Sequence, residues 1–175
     1  MDTPSARRTR IMSPEQVRRT LRRLAYEVVE RNRGADDVQL FGILESGAPL
    51  ARAIAEEIGA IEDTEIPVHD LDVGPFRDDR ETTGTRDAPS SGIDVTDQHV
   101  ILIDDVLFTG RTARAALDAI IQFGRPRSIQ LMVLIDRGHR EYPIRPDYVG
   151  RALQTKHQEQ VEVALDEEFA VYVTE

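Results

Sequence analysis

The order of hydrophobic and polar positions predicts helices and strands that alternate along the chain. The first helix is predicted to begin at Ser13, because Pro14 at the first helical position and Gln16 three residues after Ser13 complete a capping sequence. Apolar residues at helical spacing share its buried face, namely Val17, Leu21, Leu24 and Val28. Arginines fall on the opposite side, so this helix is predicted to pack on a core with one face in solvent.

Short apolar runs bounded by turn residues predict strands that are buried on both faces. These strands are predicted over 38–44 and 66–73, from Val100, and over 129–135. Helices between them are each predicted to end at a glycine, 49–58 before Gly59 and 111–123 before Gly124. A C-terminal hairpin is predicted over 161–165 and 169–173. Alternation of strand and helix predicts an α/β fold with a mostly parallel sheet flanked by helices.

Length and composition indicate one folded unit. The chain of 175 residues fits a single domain, 1–175, with a sizeable core. Residues 74–99 are rich in Gly, Pro, Thr, Ser and Asp, which is typical of a lid or a disordered loop. Cysteine is absent, which excludes a disulfide framework and a cysteine nucleophile. No apolar stretch reaches the length of a membrane span, so a cytoplasmic location is expected.

The charge balance is strongly acidic. The 32 acidic and 22 basic residues give a formal net charge of −10, and Lys156 is the single lysine. Such a charge keeps a protein soluble and disfavours non-specific contact with nucleic acid. It fits adaptation to high salt as well as a simple compositional bias.

Residues Val100 to Thr112 read V-I-L-I-D-D-V-L-F-T-G-R-T and carry the most specific chemistry. Asp104 and Asp105 are predicted to lie at the carboxyl end of a buried parallel strand, where ligands bind in such sheets. Gly110 then allows close approach of a ligand, and the helix that follows adds its positive N-terminal end. This combination predicts a site for a phosphorylated sugar, with the phosphate at the turn and ribose hydroxyls at the carboxylates.

Other protein classes place two acids after an apolar strand. Receiver domains do so, but they have no need of a phosphate-binding turn a few residues later. P-loop ATPases do so beside magnesium, but the chain lacks the sequence G-x-x-x-x-G-K-[ST]. An ordinary strand-to-helix turn accounts for Gly110 but does not explain why two charged residues, Asp104 and Asp105, follow the buried strand.

The run I-L-I-D-D-V-L-F-T-G-R-T-A-R-A-A-L-D-A-I closely resembles the phosphoribosyl-diphosphate (PRPP) motif of the type I phosphoribosyltransferases. Within that group the chain resembles the PyrR family of pyrimidine-operon regulators with uracil phosphoribosyltransferase activity. The segments V-L-I-D-R-G-H-R-E and D-Y-V-G of the second half also resemble this family, as does Arg77-Asp78-Asp79 in the long loop. The resemblance therefore covers nearly the whole chain.

The resemblance implies a type I phosphoribosyltransferase fold and a set of site residues. It implies a long flexible active-site loop over 74–99 and a small hood within 137–175. PRPP and its 5-phosphate would be held by Val106, Leu107, Phe108, Thr109, Gly110, Arg111 and Thr112. Asp104 and Asp105 would bind the ribose, and Arg77 would close over the diphosphate. The pyrophosphate loop would be Glu45, Ser46 and Gly47, and the nucleobase would lie near Arg137, Tyr148, Val149 and Gly150. Mg²⁺ would bind through PRPP and water, with no site built from protein side chains alone.

Two positions depart from the pattern of relatives. Phe108 stands where purine-specific enzymes carry an aspartate, which favours a pyrimidine. Glu45 and Ser46 stand where relatives place an Arg or Lys before the glycine of the pyrophosphate loop. Because a glutamate repels a leaving diphosphate, transfer is predicted to be detectable but weak, and nucleotide binding could survive loss of the chemistry.

The resemblance also implies transcription attenuation through binding of leader RNA, tuned by UMP and UTP, by a homodimer or higher homo-oligomer. The candidate RNA-binding residues are Arg18, Arg19, Arg22, Arg23, Arg140, Arg151, Thr155 and Lys156. The alternative is that the helix arginines form an ordinary solvated face paired with acids, which the net charge favours. A transferase for another base, without RNA binding, also stays open. The histidines lie far apart in sequence, so no histidine metal site is expected.

Overall fold

The computed structural model describes residues 6–78 and 92–175. The centre of the predicted loop over 74–99 therefore lies outside the described residues, together with Asp79. Two sheets and three α-helices make up the described part, and the α/β fold class predicted from the sequence is confirmed.

The main sheet has five parallel strands in the order β3-β2-β4-β5-β6. Its strands are β2 Val38–Ile43, β3 Val68–Leu71, β4 His99–Leu107, β5 Ser128–Asp136 and β6 Tyr148–Ala152. The central strand β4 has nine residues, as does β5, and its residues Ile101 to Ile103 are almost fully buried. All carboxyl ends of these strands lie at one edge of the sheet, which is where an α/β protein binds its ligand.

Helices cover both faces of the main sheet. Helices α1 (Pro14–Asn32) and α2 (Gly47–Glu62) pack on one face, against side chains such as Ile101 and Ile103. Helix α3 (Arg111–Ile120) packs on the other, against Val100 and Leu102. The alternation of side chains along β4 explains this division, since successive residues of a strand point to opposite faces.

The predicted capping box of α1 is present. The Ser13 hydroxyl accepts from the backbone N–H of Gln16 at 3.2 Å, and the Gln16 side chain accepts from the Ser13 N–H at 2.9 Å. The end predicted for α2 is wrong, because this helix continues through Gly59 to Glu62. Gly59 is needed for packing, since a Cβ there would lie 2.8 Å from the Thr64 carbonyl oxygen.

A second, antiparallel sheet of three strands has the order β1-β8-β7. The predicted hairpin is confirmed as β7 (Gln160–Ala164) and β8 (Ala170–Thr174). The third strand, β1 (Arg8–Met12), pairs with β8 and was not predicted. The predicted C-terminal hairpin is thus part of a sheet that also takes a strand from the beginning of the chain. Within the described residues, no helix is long and apolar enough to cross a membrane.

Candidate active site

The two aspartates of the PRPP-like motif lie inside β4, before its end at Leu107, and not at its end as predicted. Pairing of β4 with β2 nevertheless stops at Ile103, so Asp104 and Asp105 extend past the end of β2. Asp104 Oδ1 accepts from the backbone N–H of Asp105 at 2.9 Å, and Asp105 Oδ1 accepts from Val106 N–H at 2.7 Å. Burial, and secondly the charge of Asp105, raise the pKa of Asp104 well above its usual range.

The turn after β4 forms the wall of a cavity of about 180 Å³. Gly110 has a left-handed backbone with φ of +91°, and α3 begins at the next residue. A side chain at Gly110 would meet Ile144, whose Cγ1 lies 3.1 Å from the Cβ position. The cavity is lined on its polar side by Arg77, Asp104, Thr109, Gly110 and Thr112. Backbone N–H groups at a helix N-terminus are suited to an anion, so the turn has the geometry expected for a phosphate.

The Arg111 side chain does not line this cavity. Its guanidinium donates to Glu141 Oε2 at 2.9 Å, to Asp78 Oδ1 at 3.3 Å and to the Tyr142 hydroxyl at 3.0 Å. The Tyr142 hydroxyl in turn donates to Asp78. Among the predicted phosphate-binding residues, Arg111 therefore contributes its backbone to the turn, while its side chain holds the first residues of the long loop.

Arg77 lies between two cavities. Its Nη1 donates to Thr112 Oγ1 at 3.0 Å, in the cavity beside the turn Thr109–Thr112, which is called the phosphate turn below. It also lines a second cavity of about 400 Å³, together with Leu44, Glu45, Asp72, Val73 and Gly74. Arg77 therefore lines both cavities, and its predicted closure over the diphosphate stays a prediction.

The predicted pyrophosphate loop connects β2 to α2 and touches β4. Ser46 Oγ lies 3.5 Å from Asp104 Oδ1, and the Leu44–Glu45 peptide bond is cis. Gly47 packs directly on β4, because a Cβ there would lie only 2.2 Å from the Ile103 carbonyl oxygen. The loop, the aspartates and the phosphate turn therefore converge at the carboxyl edge of the sheet.

Comparison with known proteins agrees with this geometry. The phosphoribosyl transferase domain family matches residues 9–168. The Bifunctional protein PyrR of Oceanobacillus iheyensis is 47% identical and the alignment covers 93% of each chain. The Bifunctional protein PyrR of Clostridium kluyveri is 49% identical over 90% of each chain.

The chain belongs to the PyrR family of phosphoribosyltransferases. Among solved structures, a hypoxanthine phosphoribosyltransferase of Trypanosoma cruzi in complex with the product IMP has a TM-score of 0.71 and 16% identity, covering 99% of this chain and 93% of that one. At this identity the likeness shows the fold alone, which is the fold expected of a PyrR family member.

Arg137, predicted to bind the nucleobase, is buried with 7% of its surface exposed. Its guanidinium carbon lies 4.1 Å from the centre of the Phe108 ring. Its nitrogens donate to Thr155 Oγ1 at 3.1 Å, to the Lys156 carbonyl at 3.2 Å and to the Glu159 carbonyl at 2.6 Å. Burial lowers the pKa of Arg137. Arg137 thus ties the end of β5 to the loop between β6 and β7, directly beside the phosphate turn.

The other predicted nucleobase residues lie in the main sheet, and their contact with the nucleobase stays a prediction. Tyr148, Val149 and Gly150 form strand β6 of the main sheet and are not part of the small second sheet. The Tyr148 side chain is buried, and its hydroxyl bonds Gln130 and Asn32. These residues extend the sheet because β5 offers a free edge, which the residue pattern of D-Y-V-G does not reveal.

A pair of histidines escaped prediction. His139 and His157 are 18 residues apart in the chain, yet their ring centres lie 5.3 Å apart. Both rings also contact Phe108 edge to face, at 5.7 and 5.4 Å. Across residues 6–78 and 92–175, no group of three or more His, Cys, Asp or Glu side chains could hold a metal ion. The pair therefore enlarges an aromatic wall beside Arg137.

The candidate RNA-binding arginines of α1 are solvent-exposed, and each contacts a glutamate. The ion pairs are Arg18–Glu168 at 3.6 Å, Arg19–Glu15 at 2.6 Å, Arg22–Glu57 at 3.4 Å and Arg23–Glu27 at 2.7 Å. Exposed pairs of this kind are weak, about 0–1 kcal/mol, so an anionic ligand can compete for the arginines.

The remaining candidates divide into internal and exposed groups. Arg140 supports the phosphate turn, because it donates to the Phe108 carbonyl at 2.8 Å and to Asp136 at 2.6 Å. The Thr155 hydroxyl bonds Arg137. Arg151 is exposed and donates to the Ile11 carbonyl at 3.0 Å, and Lys156 is exposed. Arg140 and Thr155 therefore also hold the residues around the candidate site together, and their contact with RNA stays a prediction.

Proposed function

We propose that this PyrR family member transfers the 5-phosphoribosyl group of PRPP to uracil, giving UMP and diphosphate, and regulates pyrimidine-operon expression by binding leader RNA. The transferase proposal rests on one arrangement above all. Asp104, the phosphate turn and Arg77 line a single cavity at the carboxyl edge of the sheet. The 47–49% identity with proteins named Bifunctional protein PyrR supports the same activity.

Each part of PRPP has a counterpart in the site. The 5-phosphate accepts hydrogen bonds from the backbone N–H groups of Thr109 to Thr112 and from the two threonine hydroxyls, at the positive end of α3. The ribose hydroxyls donate to Asp104 and Asp105. Binding of a hydroxyl donor and of Mg²⁺-bound PRPP favours the ionised form of Asp104, whose pKa is raised in the free protein. The aspartates thus fix the sugar while its bond to diphosphate breaks.

The leaving diphosphate is proposed to occupy the second cavity, beside Glu45 and Arg77. The described side chains offer carboxylates at this edge but no closed metal site, which fits Mg²⁺ held mainly by diphosphate oxygens and water. When bound, Mg²⁺ neutralises charge on the leaving group. Arg77 adds a positive charge from the loop side and shields the cation-like sugar from water.

The base is proposed to lie against the wall formed by Phe108, Arg137 and the loop after β6. Uracil presents two carbonyl acceptors and an imide N–H donor on one edge. Arg137 supplies donors, and the carbonyls of Lys156 and Glu159 supply acceptors, which at present bond each other. Phe108 offers no carboxylate to a purine ring, so a pyrimidine is favoured.

An assay of UMP formation tests the transferase. The full chain is incubated with PRPP, Mg²⁺ and uracil, hypoxanthine or orotate, and nucleotides are quantified by chromatography. UMP is expected from uracil alone, at a low rate. Asp104→Asn is expected to lower that rate by about 10–100-fold, because a hydrogen bond to a charged group contributes about 1.5–3 kcal/mol. Absence of any product from uracil, or faster transfer to another base, contradicts the proposal.

The regulatory function is favoured by the exposed arginines of α1, whose weak glutamate pairs an RNA backbone can replace. Binding is proposed to occur in the cytoplasm, by a homo-oligomer, with UMP or UTP changing the affinity. Filter binding of a pyrimidine leader transcript across a salt series tests it. The double variant Arg18→Gln, Arg22→Gln is expected to weaken binding and to reduce the salt slope by about 1–2.

The control for the RNA assay is Arg127→Gln, which removes an arginine paired with Asp37. Both residues directly precede strands of the main sheet, at the edge opposite to the carboxyl ends of the strands. It is expected to leave the affinity unchanged. Two outcomes contradict a specific role for α1: binding of the transcript that does not change with salt, or a loss of affinity in the control as large as in the double variant.

A further inference from the structure

The cavity assigned to the diphosphate carries an unusual set of charges. Two carboxylates, Glu45 and Asp72, line it together with one guanidinium, that of Arg77. The other lining residues, Leu44, Val73 and Gly74, contribute no charged group. A diphosphate entering this space therefore meets more negative than positive charge from the residues that the structure describes.

The two carboxylates are held at the cavity by local structure. Glu45 lies in the loop that turns from β2 into α2, one residue before Ser46, which lies beside Asp104. Asp72 follows β3 directly, and its Oδ1 accepts from the Gly74 backbone N–H at 2.9 Å. Because β2 and β3 are parallel neighbours, their ends bring the two acids to one side of the site.

The positive charge of Arg77 is directed partly away from this cavity. Its Nη1 donates to Thr112 Oγ1 at 3.0 Å, in the cavity of the phosphate turn. The turn itself has the helix N-terminus of α3 as a source of positive potential. The two phosphate positions of the site thus differ in electrostatic character, favourable at the 5-phosphate and unfavourable at the diphosphate.

From this difference we infer that Glu45 and Asp72 make the site selective for nucleoside monophosphates over PRPP. The inference rests on the proposed function and specifies which of its ligands predominates. A ligand such as UMP fills the phosphate turn and the base wall and leaves the acidic cavity to water. PRPP places its diphosphate between the two carboxylates. The protein therefore responds chiefly to pyrimidine monophosphate, and its transfer reaction is limited by binding of PRPP.

Isothermal titration of the full chain with UMP and, separately, with PRPP at constant Mg²⁺ measures this selectivity. The variants are Glu45→Gln and Asp72→Asn, in which the amide keeps the shape of the side chain. In Asp72→Asn the amide oxygen can still accept from the Gly74 backbone N–H, so the local turn is retained. The control is Glu65→Gln, which removes an exposed acid before β3. Glu65 lies at the amino-terminal edge of the sheet, opposite to the edge that carries the cavity.

Wild-type protein is expected to bind UMP more tightly than PRPP. Removing either charge is expected to lower the Kd for PRPP about three- to tenfold, because a single unit charge near the diphosphate has an effect of this size in a partly solvated site. The Kd for UMP is expected to change by less than about twofold. The rate of UMP formation at subsaturating PRPP should rise by the same factor. Glu65→Gln should change neither ligand.

Two results overturn the inference. If both ligands bind but PRPP is unaffected in Glu45→Gln and in Asp72→Asn, the selectivity has another cause and the proposed function stands. If neither UMP nor PRPP binds to the wild-type chain, the proposed nucleotide site itself is wrong, and this selectivity falls with it.

Discussion

The guanidinium of Arg77 donates to the hydroxyl of Thr112 across 3.0 Å and so joins the segment after β3 to the first turn of α3. Arg77 is the first residue after a short 3-10 helix, Gly74–Phe76, whose Phe76 is buried in the core. The base of the long loop is therefore anchored beside the phosphate turn, and Arg77 is held at a defined position there.

Replacement of Arg77 tests its part in transfer. Arg77→Ala is expected to lower kcat/KM for PRPP by about 10–100-fold, since a charge-assisted contact to the phosphates is lost. Arg77→Lys should retain part of the activity, because it keeps the charge without the planar fork. Steady-state kinetics measure both. The control, Arg52→Ala, removes an exposed arginine that pairs with Asp70, and equal losses there would contradict a specific role.

The raised pKa of Asp104 predicts a conflict between stability and function. A carboxyl whose folded pKa exceeds its unfolded value lowers the free energy of unfolding as pH rises from the unfolded pKa to the folded one. Asp104→Asn removes this penalty, so its melting temperature at neutral pH should exceed that of the wild type while ribose binding is weakened. The difference should vanish at a pH below the usual aspartate pKa. Calorimetric scans across pH measure it, and a less stable variant at neutral pH would contradict the effect of burial.

The contacts among Asp78, Arg111 and Tyr142 predict a tether for the long loop. A hydrogen bond from Tyr142, and secondly the charge of Arg111, lower the pKa of Asp78, so the contact persists at neutral pH and weakens only in acid. Tyr142→Phe should raise KM for PRPP about two- to fivefold, because the hydrogen bonds of the hydroxyl to Asp78 and Arg111 are lost on an exposed surface, with little change in melting temperature. An unchanged KM would show that the tether does not assist PRPP binding.

Close packing of the pyrophosphate loop on β4 predicts a large effect of a single methyl group. Gly47→Ala places Cβ against the Ile103 carbonyl, and the free energy of unfolding should fall by about 2–4 kcal/mol. Gly92→Ala is the matched control, because no atom of the described residues lies within 4 Å of its Cβ position and the cost, from its φ of +69°, should be about 1 kcal/mol. Denaturant titration of both variants measures the difference. Equal losses would indicate that the loop can move away from β4.

Features that depend on neighbouring residues in the chain were predictable. The capping box at Ser13 is a local hydrogen-bonding pattern, and the buried strand, two aspartates and glycine turn of β4 and α3 occupy one continuous segment. The chemistry of these segments can therefore be predicted from the types and the spacing of their side chains. The same is true of Phe108 and Glu45, whose departure from the usual residues is visible without coordinates.

The sequence by itself determined the α/β class, the phosphate turn and the family, because short-range periodicity and a contiguous motif carry that information. Only the tertiary structure decided which distant segments meet. Pairing of β1 with β8, contact of His139 with His157, the bonds of Arg137 to the loop after β6, and the cavity lined by both Glu45 and Asp72 all bring together residues far apart in the chain. Such contacts arise from the packing of complete strands and helices, and no local pattern encodes them.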